Sequence, residues 1–194
     1  MPRPPTDKRE RIVQTATELV YAQGFHSSSL ADIARAAGVP TGSVYYFFKA
    51  KEDLGRAVVD AQVEVYGRLC AAWDALEDPA DRLVAFLGMT AENRDALARS
   101  GCPVGTLCGE LGKDGGALAE HASAVFRRLL RWIAAQFEAL GCATPEATGH
   151  AEHLLAAIEG ATLLTHTFRD PTFVTREVDR LTPWIRSFHA LEAP

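Results

Sequence analysis

Cysteine is sparse and scattered. The four in this chain of 194 residues, Cys70, Cys102, Cys108 and Cys142, contain no C-x-x-C pair. Such usage gives no disulfide framework, and reduced thiols in a cytoplasmic protein are the default expectation. Apolar runs are short, and none reaches the roughly 18 residues of a membrane span. The N-terminal stretch MPRPPTDKRER lacks an apolar h-region, so it does not read as a secretory signal. Strand alternation and internal repeats are also missing. No glycine-rich phosphate loop, metal set or nucleophile–base pairing stands out. Asp, His and Ser occur, but their spacing carries no signal for an enzyme or a carrier, and no cofactor is implied.

What is present is ordinary in amount and uneven in placement. Apolar residues make up 47% and charged residues 23%, as in a soluble globular protein of one or two small domains. The net charge of −5 is unfavourable for a nucleic-acid binder until it is divided along the chain. Residues 1–51 hold seven basic side chains (Arg3, Lys8, Arg9, Arg11, Arg35, Lys49, Lys51) against four acids (Asp7, Glu10, Glu18, Asp32). That end is +3 and the remainder −8. A basic end can meet phosphates while an acidic body stays away from a duplex, and such binding weakens steeply with salt.

The chain is organised around Ser29 to Lys51, SLADIARAAGVPTGSVYYFFKAK. Two short helices joined by a tight turn are expected. Ser29 is placed to cap the first, with Asp32 three residues on, close to a capping box. Leu30, Ile33, Ala34 and Ala37 recur at helical spacing and give it an apolar face. Gly38 stands where a C′ glycine ends a helix, Val39 plugs the turn, and Pro40 and Thr41 open the second helix. Val44 and Phe48, four apart, face inward, which leaves Ser43, Tyr45, Tyr46 and Lys49 pointing mostly outward. This is a helix-turn-helix. Small residues begin its second helix, so the backbone can approach DNA. The N-terminal end of such a helix reaches base edges, and the rest sets the register on phosphates.

The run from Arg9 to Leu54 resembles the DNA-binding domain of TetR-type transcriptional regulators. The resemblance rests on Ile12, Ala16, Leu19, Gly24–Phe25, Ser28–Ser29, Ile33–Ala34, Ala37–Gly38–Val39, Gly42, Val44–Tyr45–Tyr46, Phe48, Lys51–Glu52 and Leu54. It implies a homodimeric repressor released from operator DNA by a small ligand. It also implies a division into a DNA-binding domain, residues 1–50, and a helical effector-binding and dimerisation domain, residues 51–194. Carried over position by position, Ser28 and Ser29 touch phosphates, and Thr41, Gly42 and Ser43 sit near bases. Tyr45, Tyr46 and Lys51 then hold the DNA backbone. The competing reading makes both tyrosines core aromatics, but Val44 and Phe48 already fill the inner face. One position departs from the family: after Tyr46, where His is common, stands Phe47, which cannot donate to a phosphate.

Around this unit the chain reads as all-α, with about nine helices. Residues 1–7 hold three prolines and are expected to form a disordered arm, from which Arg3 either reaches DNA or is only solvated. A helix from about Lys8 to Gln23 buries Ile12, Ala16, Leu19 and Val20. Gly24 stops it, and Phe25 packs under the helix-turn-helix. Further helices are expected over about 51–76, 80–98, 117–140, 145–168 and 172–191, with a short apolar segment, CPVGTLCGEL, and a turn at 112–116 between them. Pro183 should kink or divide the last helix. In the family resembled, the last two helices pair with those of a second copy, and both carry broad apolar faces here.

Three sets of residues could carry further chemistry. Cys102 follows Gly101, and Cys108 lies six residues on. In related regulators this short helix opens towards the ligand cavity, and some members with Gly-Cys here respond to electrophiles or oxidants. A helix N-terminus favours a thiolate, but a free cysteine is also among the most buried residue types. An effector pocket would draw on Phe86, Met89, Leu107, Phe126 and His166, all of which also serve as core. His150 and His153, three apart, permit a shared metal but lack an evident third ligand, and interface histidines fit equally. The leading reading is a ligand-released repressor. The alternative is a thiol-switched repressor sensing electrophiles or oxidants through Cys102.

Overall fold

The computed structural model describes residues 5–188, with side chains from residue 8 onward. Among these residues the regular structure is helical, as expected for an all-α chain. Two compact units divide it. The first joins residues 5–65 to 103–125, and the second joins 66–102 to 126–188.

The first unit holds α1 (Pro5–Gln23), α2 (Leu30–Ala36), α3 (Thr41–Phe47), the first part of α4 (Lys51–Trp73), α7 (Pro103–Asp114) and the start of α8 (Gly116–Ala139). α1 begins at Pro5 rather than Lys8, so residues 5–7, expected in a disordered arm, are helical, and the rest of that arm lies outside the described residues. Proline suits the first helical turn because its missing N–H would have no partner there. Arg3 lies outside the described residues. Ile12, Ala16, Ile33, Val44, Leu54 and Val58 supply the interior. Gly55 is a close-approach position: a Cβ there would stand 2.8 Å from the Phe25 ring and 2.9 Å from Leu118. The bare surface of α4 lets both side chains lie against it.

The second unit holds the rest of α4, α5 (Pro79–Glu92), α6 (Arg94–Ser100), the remainder of α8, α9 (Thr144–Phe168) and α10 (Thr172–Arg186). Its core joins Leu83, Phe86 and Leu87 of α5 to Ile133 and Phe137 of α8, Leu154 and Ile158 of α9, and Ile185 of α10. Truncating one of these Leu or Ile side chains to Ala removes about 2–5 kcal/mol.

Several boundaries differ from the periodicity. The helix expected over 80–98 is two helices meeting at Asn93, whose side chain donates to the Met89 carbonyl at 2.8 Å and competes with the helical ladder. α7 runs on to Asp114, so the expected turn narrows to Gly115 and the first residue of α8, Gly116, both at positive φ. Pro183 lies inside α10 without dividing it. The helix ends at Arg186 with Ser187 as its C-cap, and residues 189–191 of the expected helix fall outside the described residues. Arg169, at φ 55°, ends α9, and its guanidinium donates to the carbonyl of Ala98 at 2.9 Å and to that of Arg99. A cation thereby meets the negative end of α6.

Candidate nucleic-acid interface

The helix-turn-helix is built as its local signals require. Ser29 is the N-cap of α2, and its hydroxyl accepts from the Asp32 N–H at 3.1 Å while the Asp32 carboxylate accepts from the Ser29 N–H at 3.3 Å. The Ser29 hydroxyl also donates to that carboxylate. These bonds, with Arg35 alongside, hold the Asp32 pKa below its ordinary value. Ala37 is the C-cap, and Gly38 at φ 63° is the C′ residue whose conformation ends the helix. The Val39 N–H then returns to the Ala34 carbonyl at 3.0 Å.

α3 follows from Pro40. Val44 and Phe48 are buried, whereas Tyr45 is 50% and Tyr46 72% exposed. The reading of the two tyrosines as core aromatics therefore fails. Thr41 and Gly42 are exposed at the start of α3, and Ser43 is half-buried. Phe47 braces Tyr46 edge-on, with ring centroids 5.0 Å apart, and the Lys49 ammonium lies 5.9 Å from the centre of the Tyr46 ring. The position that departs from the family thus supports a neighbouring aromatic. Arg9 covers the Phe48 ring at 5.4 Å.

Two expected phosphate contacts are placed differently. Ser28 is fully buried. Its hydroxyl donates to the Gly24 carbonyl at 2.7 Å and accepts from the Gln23 amide at 3.2 Å. In this arrangement it closes the α1–α2 turn and has no face to offer a phosphate. Lys51, half-buried at the start of α4, donates to the His26 carbonyl at 2.9 Å over the Phe25 ring.

The same turn meets residues that sequence spacing did not single out. The Glu110 carboxylate accepts from the His26 N–H at 3.1 Å, and the His26 imidazole lies 3.1 Å from the Asp114 carboxylate. In α8, His121 pairs with Asp60 of α4 at 2.7 Å. These partners are far apart in sequence, so periodicity holds no trace of them.

The residues read as effector or sensor positions do not form one group. Phe86 is in the core of the second unit, with Met89 and Phe126 packed against that core. His166 lies near the Ala98 carbonyl, with Nδ1 at 3.4 Å. Leu107 is buried in the first unit, where the half-buried Cys108 donates to the Ala122 carbonyl. Cys102 is buried and shares a hydrogen bond with the Glu159 carboxyl group, whose pKa burial raises. Burial raises Cys70 to about 11, aided by Asp74, and raises Cys142 as well. His150 packs edge to face with Trp184 and Phe188, and His153 with Trp184. Both histidines thus belong to an aromatic cluster.

Comparison with known proteins adds to this geometry. Residues 12–58 match the family model described as bacterial regulatory proteins, tetR family. Residues 79–176 match that of the LmrA/YxaF-like transcriptional regulator C-terminal domain. The HTH-type transcriptional regulator YxaF of Bacillus subtilis is 31% identical over 169 residues, which cover 86% of this chain and 88% of the relative. LmrA of the same organism is 29% identical over 169 residues, covering 86% and 90%. A TetR transcriptional regulator from Legionella pneumophila shares the fold, with a TM-score of 0.82 at 22% identity over 92% of this chain and 95% of that one.

Proposed function

As the chain belongs to the TetR family of bacterial regulatory proteins, with a C-terminal domain of the LmrA/YxaF type, we propose that it is a homodimeric repressor released from its operator by a small-molecule effector. DNA reading falls to residues 1–50, and effector binding and dimerisation to residues 51–194. The exposed phenols of Tyr45 and Tyr46 carry this reading, because they stand on a helix whose inner face is already sealed by Val44 and Phe48. Large aromatics left exposed on a short helix fit a duplex surface. Thr41, Gly42 and Ser43 approach the bases, while Ser29, Tyr45, Tyr46 and Lys51 hold the DNA backbone.

An exposed apolar patch on α9 supports the second copy: Leu163, Leu164 and Phe168 are 64%, 43% and 62% exposed. Aromatic and sulfur-bearing side chains of the second unit, Phe86, Met89 and Phe126, suit a mostly apolar effector. Effector binding shifts the balance between DNA-competent and incompetent states by its differential affinity for them. The protein acts in the cytoplasm, and no helix among the described residues is long and apolar enough to cross a membrane.

A gel-shift titration against the intergenic DNA beside the protein's own gene tests the reading. The wild type should retard that duplex, and Tyr46→Ala should weaken the shift at least tenfold with an unchanged melting temperature. Equal retardation by both proteins would remove α3 from the interface.

A further inference from the structure

The carboxylate of Glu110 rests on the backbone that feeds the helix-turn-helix. Its Oε2 accepts from the His26 N–H at 3.1 Å. A Cβ on Gly24 would stand 2.7 Å from its Oε1, and Gly24 itself has φ +91°. The positive φ at 24 favours glycine, and a side chain there would also have to displace the Glu110 carboxylate. The turn from Gly24 to Ser28 is held from two further directions. Lys51 donates to the His26 carbonyl, and the Ser28 hydroxyl closes on Gly24. Asp114, one helical turn beyond Glu110 on α7, pairs with the His26 imidazole. Three residues after His26 comes Ser29, the cap of α2. The start of the helix-turn-helix is thus positioned by a helix that family resemblance and sequence spacing both leave out of DNA reading.

We propose that Glu110 is a positioning residue for DNA recognition, acting through the His26 amide to set the turn from which α2 and α3 start. Segment 103–125, which belongs to the same compact unit, is on this view part of the DNA-binding machinery. The proposal rests on DNA reading by α2 and α3. Its test separates it from electrostatics, because the two make opposite predictions. Removing an acid from a DNA-binding unit lowers repulsion from phosphates and should tighten binding. Removing a positioning contact should loosen it.

The experiment compares Glu110→Gln with Glu110→Asp. Gln loses the charge but keeps an acceptor at the same reach, whereas Asp keeps the charge and withdraws the acceptor by one methylene. Binding is measured by fluorescence anisotropy across a salt series, using a duplex that the wild type has selected from a randomised library. We expect Gln to bind within about threefold of wild type and Asp to lose about tenfold, with the salt slope unchanged in both. Asp binding as well as wild type, or Gln falling as far as Asp, would overturn the proposal. Hydrogen exchange at the His26 amide supplies a reading independent of DNA. It should quicken in Glu110→Asp while amides within α4 keep their protection, and unchanged exchange would also overturn the assignment. If Tyr46→Ala left binding intact, the reading of α3 would fail first, and the His26 exchange result would still stand for or against Glu110.

Discussion

The ammonium group of Lys51 lies 2.9 Å from the main-chain oxygen of His26 and 4.8 Å from the centre of the Phe25 ring. One lysine at the start of α4 thereby grips the turn ahead of α2. An ammonium has three donors, and a single carbonyl engages one of them. The side chain is half-buried, so its remaining donors can serve a phosphate while the stem stays on Phe25.

Lys51→Ala should weaken DNA binding across all sequences and lower the slope of log K against log salt by about one. A salt series on two unrelated duplexes would show this. Weaker binding with an unchanged slope would assign Lys51 to holding the turn alone.

Ser28→Ala should act on stability and spare the interface. Its buried hydroxyl donates to the Gly24 carbonyl and accepts from Gln23, and losing both bonds costs about 1–2 kcal/mol. Urea unfolding should report that loss while the affinity of the folded protein for DNA changes little. A stable variant with weakened binding would return Ser28 to the phosphate contacts.

Much of the DNA-binding geometry was legible because its signals are local. A capping serine, an acid three residues on and a C′ glycine each act within one helical turn, so Ser29, Asp32 and Gly38 were placed correctly. Ser28 is different: the family resemblance implies a phosphate contact there, whereas its hydroxyl turns inward to the Gly24 carbonyl. The break at Asn93 escaped the periodicity because a side chain competing for one carbonyl leaves the apolar pattern intact. The contact of Glu110 with His26 joins residues 84 positions apart, beyond any spacing rule. Tyr45 and Tyr46 lay between these cases. Their outward orientation followed from the filled inner face of α3, an argument from packing that the exposures support.

Leu164→Glu should abolish self-association. Leu163, Leu164 and Phe168 form an exposed apolar face on α9, and a carboxylate placed there would be desolvated without a partner on pairing. Sedimentation velocity at micromolar concentration should show a dimer for wild type and a monomer for the variant. A variant that remains dimeric would move the interface to another face.

Glu159 should make stability fall as pH rises. Burial holds its carboxyl pKa above the ordinary 4.5, and the hydrogen bond from Cys102 pulls it only partly back. A carboxyl whose pKa is higher folded than unfolded takes up a proton on folding between the two values. Its contribution is therefore complete below the unfolded value and is lost as pH rises through the folded one. Glu159→Gln keeps the shape and removes the titration. In thermal melts from about pH 4 to about pH 8, the variant's Tm relative to wild type should be lowest at the acid end and rise towards neutrality. A Tm difference constant across that range would mean that the carboxyl ionises in the folded protein as readily as in the unfolded chain, and that Cys102 faces a full negative charge.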